Sequence, residues 1–217
     1  MSENVIFQLA GAGILAAFFV IFFGKMAAQK RQGMRTSLLR RGGKSRRVFV
    51  TELTLKVLVF AVYGAQIASI ALDTHADILW LRVAGAFVAL AGVAVFGVAV
   101  RTMADSWRTE IPEGETENRT EVETANRTDN GRTELVTRGI FRISRNPAFL
   151  GFDLMFAGVA AMFFNPVLAA LTVGTAIVYH LQILQEERFL TATFGAPYTE
   201  YMARTRRYLG RRRPRLN

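Results

Sequence analysis

FLGFDLMFAGVAAMFFNPVLAALTVGTAIVYHLQIL, residues 149–184, consists of two apolar stretches divided at Asn165-Pro166. A proline breaks a helix because its ring blocks the preceding turn and it brings no N–H. The stretch therefore predicts two helices folded back on each other, over residues 149–164 and 167–179, the second extendable to 184. Three further apolar runs precede them, at residues 5–23, 53–72 and 78–100. A helix needs about 20 residues to cross the hydrocarbon layer, and most of the five runs approach that length. The expected fold is all-α: a polytopic membrane protein with about five transmembrane helices, the last two forming a helical hairpin.

Charge sets the expected orientation. Of 27 Lys and Arg residues, nine fall in residues 24–52, eight in 101–148 and eight in 181–217, while residues 1–4, 73–77 and 165–166 hold none. Cytoplasmic loops retain Lys and Arg, so every segment is satisfied by five spans with the N-terminus outside and the C-terminus cytoplasmic. This places the chain in the cell inner membrane with its polar working end in the cytoplasm. With 51% hydrophobic residues in 217 positions, residues 1–217 read as a single membrane domain. Three helices occupy residues 1–100, and a core with a flexible insertion at residues 110–132 occupies residues 101–217.

The net charge of +10 has its natural partner in anionic lipid headgroups, because the basic residues flank apolar helices; nucleic acid is not expected as a partner. The absence of cysteine excludes disulfides, thiolate chemistry and Cys-held metals, and two histidines give little basis for a metal site. The first run lacks a basic leader and is followed by Lys25, Lys30 and Arg31, so it reads as a retained helix and not a signal peptide. Gly11, Gly13, Gly85, Gly92 and Gly97 read as small residues for close helix packing. Lys56 and Arg82 lie near run ends, where long side chains reach polar surroundings, and read as structural. Asp153 has no such stem. It faces either a protein-lined polar cavity or a hydrogen-bonding partner near the interface, and the residues alone leave both open. Trp107 reads as an interfacial anchor, the sequons at Asn118 and Asn126 as unmodified on the cytoplasmic side, and the arginine tail 211–215 as a lipid contact.

Two polar segments flank the hairpin. The first reads TELVTRGIFRISRNPAFLG over residues 133–151, and its Asn-Pro puts an amide and free backbone N–H groups at a helix start. The second begins QILQEERFL at residue 182, continues with Phe194, Gly195, Pro197, Tyr198 and Tyr201, and ends at Arg206, Arg207 and Tyr208. Glu186 and Glu187 there suit either a cationic or hydroxylated ligand, or a solvated face paired with neighbouring arginines.

Taken together the two segments resemble the isoprenylcysteine carboxyl methyltransferase family of integral membrane enzymes and its phospholipid N-methyltransferase relatives. The resemblance rests on Leu135, Val136, Thr137, Gly139, Phe141, Arg145, Pro147, Phe149 and Gly151, then on Glu186, Glu187, Leu190, Phe194, Gly195, Tyr198, Tyr201 and Arg207. It implies transfer of a methyl group from S-adenosylmethionine to a lipophilic acceptor, with membrane lipids as surroundings. The implied cofactor contacts are Leu135, Val136, Phe141, Asn146, Pro147, Ala148, Phe149 and Glu186. Gln182 and Glu187 stand on the acceptor side as the implied catalytic pair, with His180 and Asp153 as further bases for an amine acceptor. Three positions depart from the family pattern: Asn146 replaces a usual His, Phe141 and Phe149 replace common tyrosines, and Gln182 stands where the carboxyl methyltransferases hold a carboxylate with Arg. Two other readings follow from the same segments. One is an NADPH-dependent sterol or ene reductase using Arg138, Arg142 and Arg145, and the other is a non-catalytic membrane scaffold.

Overall fold

The computed structural model describes residues 2–31, 46–103 and 135–211. The expectations for residues 110–132, Trp107, the Asn118 and Asn126 sequons and Arg212, Arg213 and Arg215 lie outside the described residues. Within them the chain is helical: α1 (Glu3–Arg31), α2 (Arg46–Ala71), α3 (Leu79–Met103), a 3₁₀ turn (Gly139–Arg142), α4 (Pro147–Met162), α5 (Pro166–Phe194) and α6 (Ala196–Arg204). Among the described residues the only extended pairing is a single antiparallel bridge between Thr205 and Arg211.

Four of these helices, α1, α2, α3 and α5, are long and apolar enough to cross a membrane. The fourth predicted run is shorter than its neighbours, because α4 has 16 residues and reaches only about 24 Å at 1.5 Å per residue. The outward faces are apolar: Phe60, Leu72, Val20, Trp80 and Phe87 are each at least 70% exposed. Such a surface would be costly in water and is ordinary against lipid.

The interior is aromatic. Phe18 of α1 stacks on Phe96 of α3 at 4.5 Å and meets Phe152 of α4 edge-on at 4.9 Å. Tyr63 of α2 meets Phe156 at 5.1 Å, and Tyr179 of α5 meets Phe149 at 5.2 Å. The most intimate helix pair is α3 against α4, and glycine makes it so. A Cβ on Gly85 would lie 2.6 Å from the Gly158 carbonyl oxygen, and one on Gly151 would lie 2.7 Å from the Phe96 nitrogen. Backbones this close draw on dispersion and Cα–H contacts, which lipid cannot out-compete. Gly85 and Gly92 thus do what the sequence predicts, whereas a Cβ on Gly13 would meet nothing within 4 Å.

α4 and α5 turn back through Phe163–Asn165, as Asn165-Pro166 predicts, but each also leans on an earlier helix, α4 on α3 and α5 on α2. Asn165 is more than a breaker. Its side chain accepts from Leu168 N at 2.9 Å to cap α5, and its amide donates to Ser69 Oγ at 2.8 Å and Thr74 Oγ1 at 3.2 Å. Arg82 is structural, as expected, but does not reach solvent. It is 3% exposed, pairs with Asp73 at 2.8 Å, donates to Asn4 Oδ1 at 3.1 Å and lies 4.3 Å from the centre of the Phe7 ring. This end of the bundle is therefore tied shut by side chains from α1, α3 and the two inter-helix turns.

Candidate functional site

At the opposite end, the chain before α4 and the chain after α6 are stitched into one body. Gly139 opens the 3₁₀ turn with φ +57°, a conformation that disfavours side chains, and a Cβ there would lie 3.0 Å from Thr102 Cγ2. The turn buries Phe141, whose carbonyl accepts from the Tyr201 hydroxyl at 2.7 Å. Burial raises the Tyr201 and Tyr198 hydroxyls above their ordinary range, which keeps Tyr201 a donor. Further on, Arg145 N donates to Arg206 O at 3.1 Å, Gly210 N to Ile143 O at 2.7 Å, and Ser144 Oγ accepts from Asn146 N at 3.1 Å.

Glu187 sits at the centre of this body. Arg145 Nη2 donates to its Oε1 at 2.8 Å, and Arg207 binds both oxygens through Nε at 3.1 Å and Nη2 at 2.7 Å. The Asn146 amide adds a donor to Oε1 at 3.4 Å and reaches the Arg207 carbonyl at 3.2 Å. The bond from Glu187 in turn holds the Arg207 guanidinium above its ordinary pKa. A carboxylate gripped by two guanidiniums has its lone pairs occupied. Glu187 is thus built as an anchor, a different part from the acceptor-side role expected of it.

The other predicted site residues divide into four groups. Leu135, Val136 and Phe141 join Ile140, Leu190, Phe194, Tyr198 and Tyr201 in one apolar cluster. Asn146 belongs to the Glu187 anchor and Pro147 is buried at the start of α4. Ala148 and Phe149 pack against the main membrane core instead. Gln182 is 2% exposed and its Oε1 has no hydrogen-bond partner. Its side chain reaches the carboxylate of the partly exposed Glu186, one turn further along α5. The convergence expected of Asn146 with Glu186 is made by Asn146 with Glu187.

His180 Nδ1 lies 2.6 Å from the Tyr208 hydroxyl with the rings stacked, and Asp153 Oδ1 is buried without a partner. Sequence reasoning does not pair Tyr208 with His180 or Arg207 with Glu187, since the partners stand 28 and 20 residues apart across an aperiodic tail. The density of Arg and Tyr in residues 198–208 is the one signal in that direction.

Residues 119–197 match the phospholipid methyltransferase family. Protein-S-isoprenylcysteine O-methyltransferase A of Arabidopsis thaliana is 40% identical over 68 residues, 31% of this chain and 34% of that protein. The B protein of the same plant is 36% identical over 72 residues, 33% and 36% of the two chains. A probable protein-S-isoprenylcysteine O-methyltransferase of Oryza sativa subsp. indica is 35% identical over 69 residues, 31% and 36%. The chain spans about a third of the length of these relatives. The matches support the isoprenylcysteine and phospholipid methyltransferase family, at modest identity and over part of the chain.

Proposed function

We propose that this chain, similar over part of its length to membrane methyltransferases, transfers a methyl group from S-adenosylmethionine to a lipophilic acceptor. The observation that carries the reading is the Glu187 anchor. It draws together the two segments that resemble the family, Leu135–Gly151 and Gln182–Arg207, from opposite sides of the α4–α5 hairpin. The donor set there fits a flat, partly cationic cofactor. Leu135, Val136 and Phe141 supply an apolar wall, Gln182 an unpartnered amide oxygen and Glu186 a carboxylate.

S-adenosylmethionine, when bound, supplies an electrophilic methyl carbon on a sulfonium. The protein's part is to align the acceptor with that carbon and to keep water away. Arg145, Arg207 and Asn146 hold Glu187, and Glu187 fixes how α5 stands against the start of α4, so these are positioning residues. Gln182 and Glu186, on one face of α5, are the groups that contact the ligands. The acceptor's apolar part enters between membrane helices, and the excess of basic residues around this end supports an inner-membrane orientation with this end cytoplasmic and the N-terminus outside.

A reductase using NADPH would need a cluster of free guanidiniums for its phosphate. Arg145 is committed to Glu187, while Arg138 and Arg142 are exposed. Calorimetric titration of purified protein with S-adenosylmethionine and with NADPH tests the reading. Saturable binding of the first alone is expected; binding of NADPH alone, or of neither, overturns it.

A further inference from the structure

The tail after α6 closes into a loop over residues 205–211, and its two sides differ. Thr205 and Arg211 pair as an antiparallel bridge, Arg206 N donates to Gly210 O at 2.9 Å, and Gly210 N donates to Ile143 O at 2.7 Å. On the inner side, Arg207 grips Glu187, and its carbonyl accepts from the Asn146 amide at 3.2 Å and the Ser144 hydroxyl at 3.4 Å. The Tyr208 hydroxyl meets His180 Nδ1 at 2.6 Å. On the outer side, Arg206 and Arg211 are exposed. Leu209 is 65% exposed, and Ile143, bonded to the next residue, is 47% exposed. Arg206, Arg207, Tyr208 and Leu209 line an open depression.

The depth of this loop restricts what can meet its outer side. At 1.5 Å per residue, His180 and Glu187 stand about 21 Å and about 32 Å along α5 from Pro166, while the hydrocarbon layer is about 30 Å thick. Tyr208 and Arg207 are bound to those two residues, so the loop lies where hydrocarbon gives way to headgroups. Leu181 of α5, next to His180, is 45% exposed, as a lipid-facing side chain is. Among the described residues no acid pairs with Arg206 or Arg211, whereas Arg204 one turn earlier is paired with Glu200 at 3.3 Å. A guanidinium at this depth needs an anion, and the anion that this layer supplies is a lipid phosphate. Two guanidiniums leave one phosphate over-neutralised, which favours a lipid of net negative charge.

We propose that residues 205–211 bind the phosphate of an anionic phospholipid through Arg206 and Arg211, with Leu209 set at the acyl boundary, and that this lipid steadies the Glu187 anchor from outside. Arg206 and Arg207 are adjacent in the chain, so a headgroup that fixes the first limits the motion of the second. The loop then carries a ligand on each side, a lipid phosphate outward and the Glu187 carboxylate inward. The lipid is a regulatory ligand and not a methyl acceptor, and its site stands apart from whatever reaction the chain performs.

The test uses the full chain in detergent micelles, titrated with phosphatidylglycerol, phosphatidylcholine, inorganic phosphate and a poly-glutamate peptide, with bound ligand read by native mass spectrometry. Saturable binding of phosphatidylglycerol is expected, tighter than that of phosphatidylcholine by about tenfold or more. Arg206→Gln and Arg211→Gln should each weaken it by about fivefold, the worth of one basic residue at an anionic surface, and Leu209→Ser should weaken it as well. Arg204→Gln, whose cation is already paired, should leave it within about twofold. In phosphatidylcholine nanodiscs, added phosphatidylglycerol should slow hydrogen exchange at the Arg206 and Gly210 amides by about fivefold or more, and Arg206→Gln should abolish that slowing. Equal weakening by Arg204→Gln and Arg206→Gln overturns the site, and equal affinity for the two lipids overturns recognition of charge. Tighter binding of inorganic phosphate or of the peptide overturns the lipid as occupant, and an inert Leu209→Ser overturns its place at the acyl boundary. Exchange that ignores phosphatidylglycerol overturns the hold on the anchor.

Discussion

Replacing Glu187 with Gln keeps the side chain's shape and removes its charge, which isolates what the anchor contributes. Arg145 and Glu187 have side chains only 5% and 9% exposed and lie 2.8 Å apart. Breaking a buried pair by removing one charge costs about 3–5 kcal/mol, because the remaining charge stays desolvated. The Arg207 arm is worth less. Its side chain is 33% exposed, so water screens it and it adds about 1 kcal/mol or less. A glutamine still offers one carbonyl oxygen to Arg145, which returns part of the loss. The expected net destabilisation is about 2–4 kcal/mol, an apparent Tm lower by about 5–10 °C for a chain of this size. Scanning calorimetry in detergent micelles reads it directly. Arg145→Met tests the cause: removing the orphaned guanidinium should make the double variant less destabilised than the sum of the singles, with a coupling of about 2 kcal/mol. A Glu187→Gln variant melting within about 1 °C of wild type, or strictly additive singles, would refute the anchor.

Other outcomes follow from the same structure. Glu186→Gln should weaken S-adenosylmethionine binding by about tenfold, the worth of one charge-assisted contact, while Glu115→Gln in the insertion leaves it unchanged; calorimetric titration compares the two. Gly92→Leu should force α3 from α4 and cost about 1–3 kcal/mol, whereas Gly174→Ala, where a Cβ meets nothing within 4 Å, should be neutral or slightly stabilising by thermal melting. Asp73→Asn should strand Arg82, which is 3% exposed, and lower stability by about 3 kcal/mol, a loss that Arg82→Met in the same chain largely removes.

The helices were legible because apolar length and proline placement are local properties. Residues 78–100 read as a span from composition alone, and α3 runs Leu79–Met103. Gly85 and Gly92 were legible for a related reason: small residues on one apolar helix have few uses besides close packing. What composition did not reveal is which helix receives them, since the partner is chosen by matching Gly151 and Gly158 on α4, a pairing distant in sequence. Arg82 was legible as structural but not as buried, because its partner Asp73 sits in an inter-helix turn whose path no periodicity describes.

The site shows the same division more sharply. Leu135, Val136 and Phe141 gather with Leu190 and Tyr198, since apolar residues around a turn and on a helix face have one direction in which to collapse. The two adjacent carboxylates were harder. Adjacent residues on a helix project about 100° apart, so Glu186 and Glu187 had to take different neighbours, and nothing in the pair says which faces the arginines. The answer is set by Arg207, in an irregular tail held by backbone bonds from Ile143 and Gly210. Once Arg207 is fixed there, the nearer carboxylate becomes an anchor and the other stays outside that network. The division of labour between two identical side chains is therefore written in the tail, and a substitution that moves the tail, such as Gly210→Val at φ +107°, should disturb the anchor while leaving both glutamates in place.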